Sequence, residues 1–406
     1  MESLTIIGAG EAGTRAALHL RERSWDGEII LISQESHTPY ERPPLSKSVL
    51  NKGVSPPLLS YAEQLQELHI KFLQGRQVAN IDRQSHQLRL QNDEWFPYDK
   101  LLLATGASAR RLTCTGSEYA LVLRHLDEAL ALRSLLAPGK HLILIGAGFI
   151  GLELAASARK VGCEVTVLEM APRILGRAVP PEVAEAVASE HKQQGVKIRC
   201  DVQLDHIQAL KSDYTVKLKN GESITGDLVV AGIGAVPEIA LAEAASLDIE
   251  NGVSVNAFLQ TSDPDIYAMG DCCSFPHPLY EKQRMRLEMW RCARDQAECA
   301  VQNLLGETKE FSAVPWFWSD QFELSLQVVG LPSFAKRVIP RTRPDGVTIY
   351  FGLNDQERLV SAAGVGTENS VAKDIRLAEM LIAVQKTMNP VELSDPNLNL
   401  KKLLKN

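Results

Sequence analysis

One arrangement of apolar and polar positions occurs twice along the chain. Thr5-Ile6-Ile7 runs into Gly8-Ala9-Gly10-Glu11-Ala12-Gly13 and then an alanine-rich stretch. Ile143-Leu144-Ile145 runs into Gly146-Ala147-Gly148-Phe149-Ile150-Gly151 and again an alanine-rich stretch. A second apolar run closes each copy, at residues 29–32 and 165–168. Short continuous apolar runs bounded by glycine read as buried strands, and the alanine-rich stretches as helices. Each copy therefore predicts a βαβ unit with a parallel sheet. Residues 141–158 are apolar enough to be taken for a membrane span. Three glycines and Glu153 interrupt them, and strand-turn-helix fits better.

The glycine spacing carries chemistry. The first glycine permits a tight turn out of the strand, the second lets backbone approach a pyrophosphate, and the third lets helix and strand pack closely. Phosphates then meet the free N–H groups and the positive dipole end of the helix. One such motif is weak, but here each follows a strand pattern and opens a helix pattern, with an acid about 20 residues on. That acid is Glu169 in the second copy and Glu35 in the first. A carboxylate accepts from a ribose diol and repels a 2′-phosphate, so Glu169 favours NADH over NADPH; Arg173 and Arg177 nearby temper the preference. The expectation is a chain that binds two dinucleotides.

Other segments stay open on residues alone. Pro39-Tyr40-Glu41-Arg42-Pro43-Pro44-Leu45-Ser46-Lys47 is stiffened by proline. It is either a rigid loop presenting Arg42 and Lys47 to a ligand or a solvated turn. Ala104-Thr105-Gly106 and Gly232-Ile233-Gly234 end apolar runs, as domain crossings or plain turns. Gly270-Asp271 ends another, and on spacing a turn is the commoner use. Residues 286–305 read as an amphipathic helix with Trp290 at its start, in the core stripe or against a cofactor. After residue 309 the pattern changes to aromatic and alternating runs, as in a separate α+β domain. Trp318 reads there as core in preference to facing an electron acceptor.

Composition narrows the class. The chain has 406 residues, 45% of them hydrophobic and 23% charged, enough for two or three globular domains. A formal charge of −7 argues against nucleic-acid binding. The seven cysteines form no metal-ligand spacing, and adjacent Cys272 and Cys273 read as reduced cytosolic thiols. No His-x-x-x-His pair suggests a metal. No signal peptide or membrane association is expected.

These pieces in this order resemble the FAD-dependent ferredoxin reductases of bacterial oxygenase systems, which include putidaredoxin, rubredoxin and biphenyl-dioxygenase ferredoxin reductases. The resemblance spans the whole chain. It rests most specifically on Pro-Tyr-Glu-Arg-Pro-Pro-Leu-Ser-Lys at 39–47 and Gly-Phe-Ile-Gly-Leu-Glu at 148–153. Thr-Ser-Asp-Pro-Asp-Ile-Tyr-Ala-Met-Gly-Asp at 261–271 and Trp-Ser-Asp-Gln at 318–321 add to it. It implies an α/β, glutathione-reductase-like fold of two Rossmann-like dinucleotide-binding domains plus a C-terminal α+β domain. The FAD domain would comprise 1–110 and 233–308, the NAD domain 111–232 and the C-terminal domain 309–406.

By the same resemblance, Gly8, Gly10, Ala12 and Gly13 cradle the FAD pyrophosphate and Glu35 or its neighbour holds the ribose. Arg42, Lys47, Val78, Ala104, Thr105, Gly106, Arg124, Gly270, Asp271 and Trp290 complete the FAD contacts. Gly146, Gly148, Ile150, Gly151, Glu169 and Arg177 would contact NADH, with Gly234 near the nicotinamide. Lys47 and Glu153 match the charged pair beside the flavin. Gln34, Glu238 and Asn256 depart from residues frequent in the family.

The implied activity is hydride transfer from NADH to FAD, followed by one-electron transfer to a [2Fe–2S] ferredoxin that serves a Rieske dioxygenase or a P450 in aromatic hydrocarbon catabolism. Lys282, Arg284, Arg286, Arg291, Arg294, Lys336 and Arg337 would form either a basic docking face or an ordinary solvated one. A disulfide reductase is disfavoured because no cysteine precedes Cys114. A rubredoxin reductase remains a close alternative. A slowly reoxidised NADH sensor resembling apoptosis-inducing factor is a different-class alternative.

Overall fold

Both glycine repeats fold as strand, turn and helix. Ser3–Ile7 leads through Gly8 into the helix Glu11–Glu22, and His141–Ile145 leads through Gly146 into the helix Phe149–Val161. The returning strands, Glu28–Ile32 and Glu164–Leu168, pair parallel with the first strand of each repeat. All four strands are almost continuously buried, because helices and connections cover both faces of a parallel sheet. The computed structural model describes residues 2–176 and 178–404 and divides into two units.

The first unit comprises residues 1–41, 57–108 and 236–315. Its parallel sheet has the order Ile266–Ala268, Lys100–Leu103, Ser3–Ile7, Glu28–Ile32, Ile70–Leu73. Strand order reverses between Ser3–Ile7 and Lys100–Leu103. In open α/β sheets such a reversal opens a crevice at the carboxyl ends of the strands, and ligands bind there. Helices Glu11–Glu22 and Trp290–Leu304 pack on one another, and Ala16, Ala297 and Ala300 on them are fully buried.

The second unit comprises residues 42–56, 109–235 and 316–406. Its parallel sheet has the order Lys197–Arg199, Glu164–Leu168, His141–Ile145, Leu228–Ala231, again reversing beside the glycine-loop strand. The C-terminal part is a five-stranded antiparallel sheet, ordered Trp316–Gln321, Leu324–Gly330, Leu359–Thr367, Thr348–Leu353, Arg337–Thr342. The helix Ala372–Val384 covers it, so this part is α+β as its sequence pattern suggests. The edge strand Trp316–Gln321 packs on the helix Phe149–Val161, where Phe149 and Phe317 meet edge to face at 4.7 Å. Among the described residues, no helix is long and apolar enough to cross a membrane.

Candidate active site

The two glycine turns are sterically equivalent. Gly8 has φ +106°, and a Cβ there would stand 2.2 Å from the Ala104 carbonyl oxygen at the end of the neighbouring strand. Gly146 has φ +105°, and its Cβ would stand 2.4 Å from the Gly232 oxygen. At Gly13 and Gly151 a Cβ would collide with the carbonyl oxygens of Gly8 and Gly146, at 1.8 and 2.3 Å. At Gly10 and Gly148 a Cβ would meet no protein atom within 4 Å. Both are helix N-caps without a side-chain cap, so the first-turn N–H groups face open space. This cradle fits a pyrophosphate in each unit.

Three strand ends converge in the first unit. Gly8 follows Ser3–Ile7, Ala104-Thr105-Gly106 follows Lys100–Leu103, and Gly270-Asp271 closely follows Ile266–Ala268. The Ala104 N–H donates to the Ile7 oxygen at 2.9 Å, and the Met269 N–H to the Leu103 oxygen at 3.0 Å. Gly270, at φ +77°, donates its N–H to Gln296 Oε1 at 2.7 Å, and its missing Cβ makes room for Ala12. Of the readings left open, 104–106 leads into the short strand Ala107–Ala109 at a boundary between the units, which falls after Ser108, and Gly270–Cys272 is a single 3-10 turn following Ile266–Ala268. Trp290 begins the helix Trp290–Leu304, with the Arg294 guanidinium 5.9 Å from its ring centroid. Val78 is buried at the start of Val78–Asp82. The Glu35 carboxylate accepts from the Tyr40 hydroxyl at 2.6 Å.

In the second unit, Glu169 accepts from the Ala147 N–H at 2.7 Å and the Ala171 N–H at 2.8 Å. It therefore braces the glycine turn, and each oxygen keeps a lone pair for a ribose hydroxyl. Arg173 donates from Nη2 to the carbonyls of Gly176 and Val179, and its Nη1 is buried without a hydrogen-bond partner. Ile150 is half exposed at the helix start, and Gly234 has φ +106° with no protein atom near its Cβ position. Arg177 lies outside the described residues.

The Pro-rich segment 42–56 packs in this second unit, where Arg42 donates to the Arg124 carbonyl at 2.9 Å. Ser157 Oγ donates to the Ser46 carbonyl at 2.7 Å and Asn51 Nδ2 donates to Ser157 at 3.3 Å, pinning the segment to the helix Phe149–Val161. Lys47 Nζ reaches Glu153 Oε1 at 3.0 Å. The Glu153 carboxylate, 6% exposed, also accepts from Ser46 Oγ at 2.5 Å and Ser319 Oγ at 2.6 Å. A buried carboxylate with a cation and two hydroxyl donors is fully satisfied as an anion. Trp318, read from sequence as core, is half-buried, stacks on Trp316 and lies 5.5 Å from Lys47 Nζ. Ser46, Ser319 and Gln321 were not singled out individually from sequence; the motifs containing them were the only signal.

The basic candidates separate. Arg286 is tied to Glu288 at 2.6 Å and to the Asp271 carbonyl. Arg284 bonds the carbonyls of Val255 and Ser274 and pairs with Glu250. These bonds tie both guanidiniums to the chain's own carbonyls and carboxylates. Lys282, Lys336 and Arg337 are exposed. All seven cysteines are free thiols. Burial pushes the thiols of Cys272, Cys273 and Cys292 up and that of Cys299 to about 11, which makes them poor nucleophiles. Among the described residues no His, Cys, Asp and Glu group is arranged to hold a metal.

Two glycine cradles at two sheet reversals define a flavoprotein reductase of the two-dinucleotide class. Residues 2–297 match the pyridine nucleotide-disulphide oxidoreductase family model and residues 316–404 the reductase C-terminal model. The chain belongs to this family, within its ferredoxin–NAD(+) reductase branch. It is 36% identical to the ferredoxin–NAD(+) reductase component of the anthranilate 1,2-dioxygenase system of Burkholderia cepacia, over 99% of each chain. It superposes on the ferredoxin reductase for the CYP199A2 system of Rhodopseudomonas palustris with TM-score 0.94, at 35% identity and 100% coverage of both chains. On the putidaredoxin reductase of a covalent complex with putidaredoxin the TM-score is 0.93, at 33% identity, covering 100% of this chain and 98% of that one. The glycine cradles fit the FAD and NADH that serve this family.

Proposed function

We propose that the protein is an NADH-dependent reductase that passes electrons through FAD to a [2Fe–2S] ferredoxin supplying an oxygenase. The observation that carries the reading is the pair of equivalent glycine cradles in a chain whose internal charged pair is Lys47–Glu153 and whose cysteines are free thiols. Disulfide reduction needs a cysteine pair at the flavin, and the segment bearing Lys47 has none. In this proposal the FAD domain comprises 1–110 and 233–308, the NAD domain 111–232 and the C-terminal domain 309–406. Free thiols throughout support a cytoplasmic location.

Bound FAD supplies the conversion between two-electron and one-electron transfer. The chain supplies the rest. Gly8, Gly10 and Gly13 admit the FAD pyrophosphate, and Asp271, Glu35 and Trp290 are the polar and aromatic groups proposed to hold its remaining parts. Gly146, Gly148 and Gly151 admit NADH, Glu169 selects its ribose diol, and Ile150 and Gly234 flank it. Lys47 presents a fixed positive charge where negative charge grows on reduction, and Glu153 fixes that ammonium. Cytochrome c reduction by NADH, measured with and without a [2Fe–2S] ferredoxin, tests the function. Fast turnover that depends on the ferredoxin is expected. Turnover supported by rubredoxin alone, or slow reoxidation with every acceptor, would replace this reading.

A further inference from the structure

Glu153 is the end of a hydrogen-bond chain that the Lys47 pairing does not explain. Ser319 Oγ donates to Glu153 Oε1 at 2.6 Å, and Gln321 Nε2 donates to Ser319 Oγ at 3.0 Å. Gln321 Oε1 stands 2.8 Å from His191 Nε2. Ser319 and Gln321 share one face of the strand Trp316–Gln321, two residues apart, and His191 sits in the last turn of the helix Pro181–Gln193. Ser319 and His191 are 0% exposed and Gln321 2%, so water does not supply alternative partners.

The chain has one direction. Gln321 spends its amide N–H on Ser319, so its carbonyl is the acceptor for His191, and His191 carries its proton on Nε2. His191 Nδ1 is buried without a hydrogen-bond partner, beside the ring of Phe322. A proton there would be an orphaned donor, and burial pushes the imidazole below its ordinary range. With His191 neutral, every dipole points at Glu153. Aligned hydrogen bonds polarise one another and favour the ionised acceptor. The groups facing Glu153 are Lys47 and Ser46 from segment 42–56 and Ser319 from the C-terminal sheet. Those facing His191 are Gln321 and Phe322, with Glu190 beside it in the chain.

We propose that His191, Gln321 and Ser319 are positioning residues: a one-way hydrogen-bond chain from the C-terminal sheet and the helix Pro181–Gln193 orients the Glu153 carboxylate and thereby fixes Lys47 for flavin reduction. The proposal rests on the reading of Lys47 and Glu153 given above. It assigns the C-terminal part of the chain a share in the reductive half-reaction.

The test uses the FAD-loaded protein. Gln321→Met cuts the chain and strands the His191 N–H; the double variant His191→Leu/Gln321→Met cuts it and removes the stranded donor. Adding Glu153→Gln to either variant is expected to slow flavin reduction no further than Glu153→Gln alone, because the chain acts only through that carboxylate. NADH-driven flavin reduction is expected to slow about tenfold, the loss typical of one hydrogen bond to a charged group. The Kd for NADH should stay within about twofold. Thermal stability falls in the single variant and recovers in the double, which separates positioning from folding. Losses that add in full to that of Glu153→Gln, or an unchanged reduction rate, overturn the proposal. If Lys47→Met and Glu153→Gln reduce at the unaltered rate, the reading of the pair itself fails, and the stability difference between the single and double variants still reports on the chain.

Discussion

Lys47 Nζ and Glu153 Oε1 lie 3.0 Å apart, and the carboxylate keeps two hydroxyl donors besides the ammonium. Removing the cation therefore leaves an anion that is still hydrogen-bonded. Lys47→Met is expected to fold and retain FAD, at a stability cost of about 1–3 kcal/mol. Flavin reduction by NADH in a stopped-flow instrument should slow about a hundredfold, the loss seen when one preorganised electrostatic donor is removed.

The glycines divide by what a Cβ would meet. Gly10→Ala places its methyl where no protein atom lies within 4 Å, so the fold should form with little change in Tm. FAD content after purification should drop sharply. Gly148→Ala should keep FAD and raise the KM for NADH. Gly13→Ala puts its Cβ 1.8 Å from the Gly8 carbonyl oxygen, which requires a main-chain shift, and soluble yield should collapse. A Gly10→Ala protein that purifies with full FAD would refute the first cradle.

Glu169 both braces Ala147 and faces the ribose in the proposed site. Glu169→Ala is expected to raise the KM for NADH about tenfold, the loss of a charge-assisted hydrogen-bond acceptor. The same change should narrow the NADH-to-NADPH ratio of kcat/KM, since the repulsion of a 2′-phosphate goes with it. Parallel steady-state kinetics with the two nucleotides check this.

His277 is fully buried among Phe275, Tyr280 and Phe311, donates to the Ala313 carbonyl at 3.1 Å and is pushed down to about 4 by burial. Its folded value lies below the unfolded one, so the unfolded chain takes the proton first as pH falls. Stability is complete above about pH 6.5, is lost between there and about 4, and the full span is about 3 kcal/mol. His277→Gln should flatten that part of the stability curve. Denaturant titrations at a series of pH values measure it.

Periodicity and glycine spacing made both βαβ units and the cradles legible, because those features depend on local sequence. Gly270-Asp271 stayed ambiguous for a reason of the same kind. A turn and a ligand-bearing turn look alike until the sheet sets Ile266–Ala268 beside Lys100–Leu103. The support of Glu153 was out of reach, since Ser46, Ser319 and Gln321 are ordinary polar residues more than a hundred positions from the residues they serve. A run of basic residues also does not reveal which guanidinium bonds a carbonyl, as those of Arg284 and Arg286 do.

The contact of Gly8 with Ala104 recurs as that of Gly146 with Gly232, so the two seats share one turn. Residence time must then be decided outside the turn. Beyond the turn the two units differ: in the first, Lys100–Leu103 is flanked by the strand Ile266–Ala268, and in the second, Leu228–Ala231 is flanked by the single bridge of Val230 to Leu121. In the proposed assignment, what separates a resident FAD from an exchanging NADH therefore lies in these flanking segments and not in the duplicated turn.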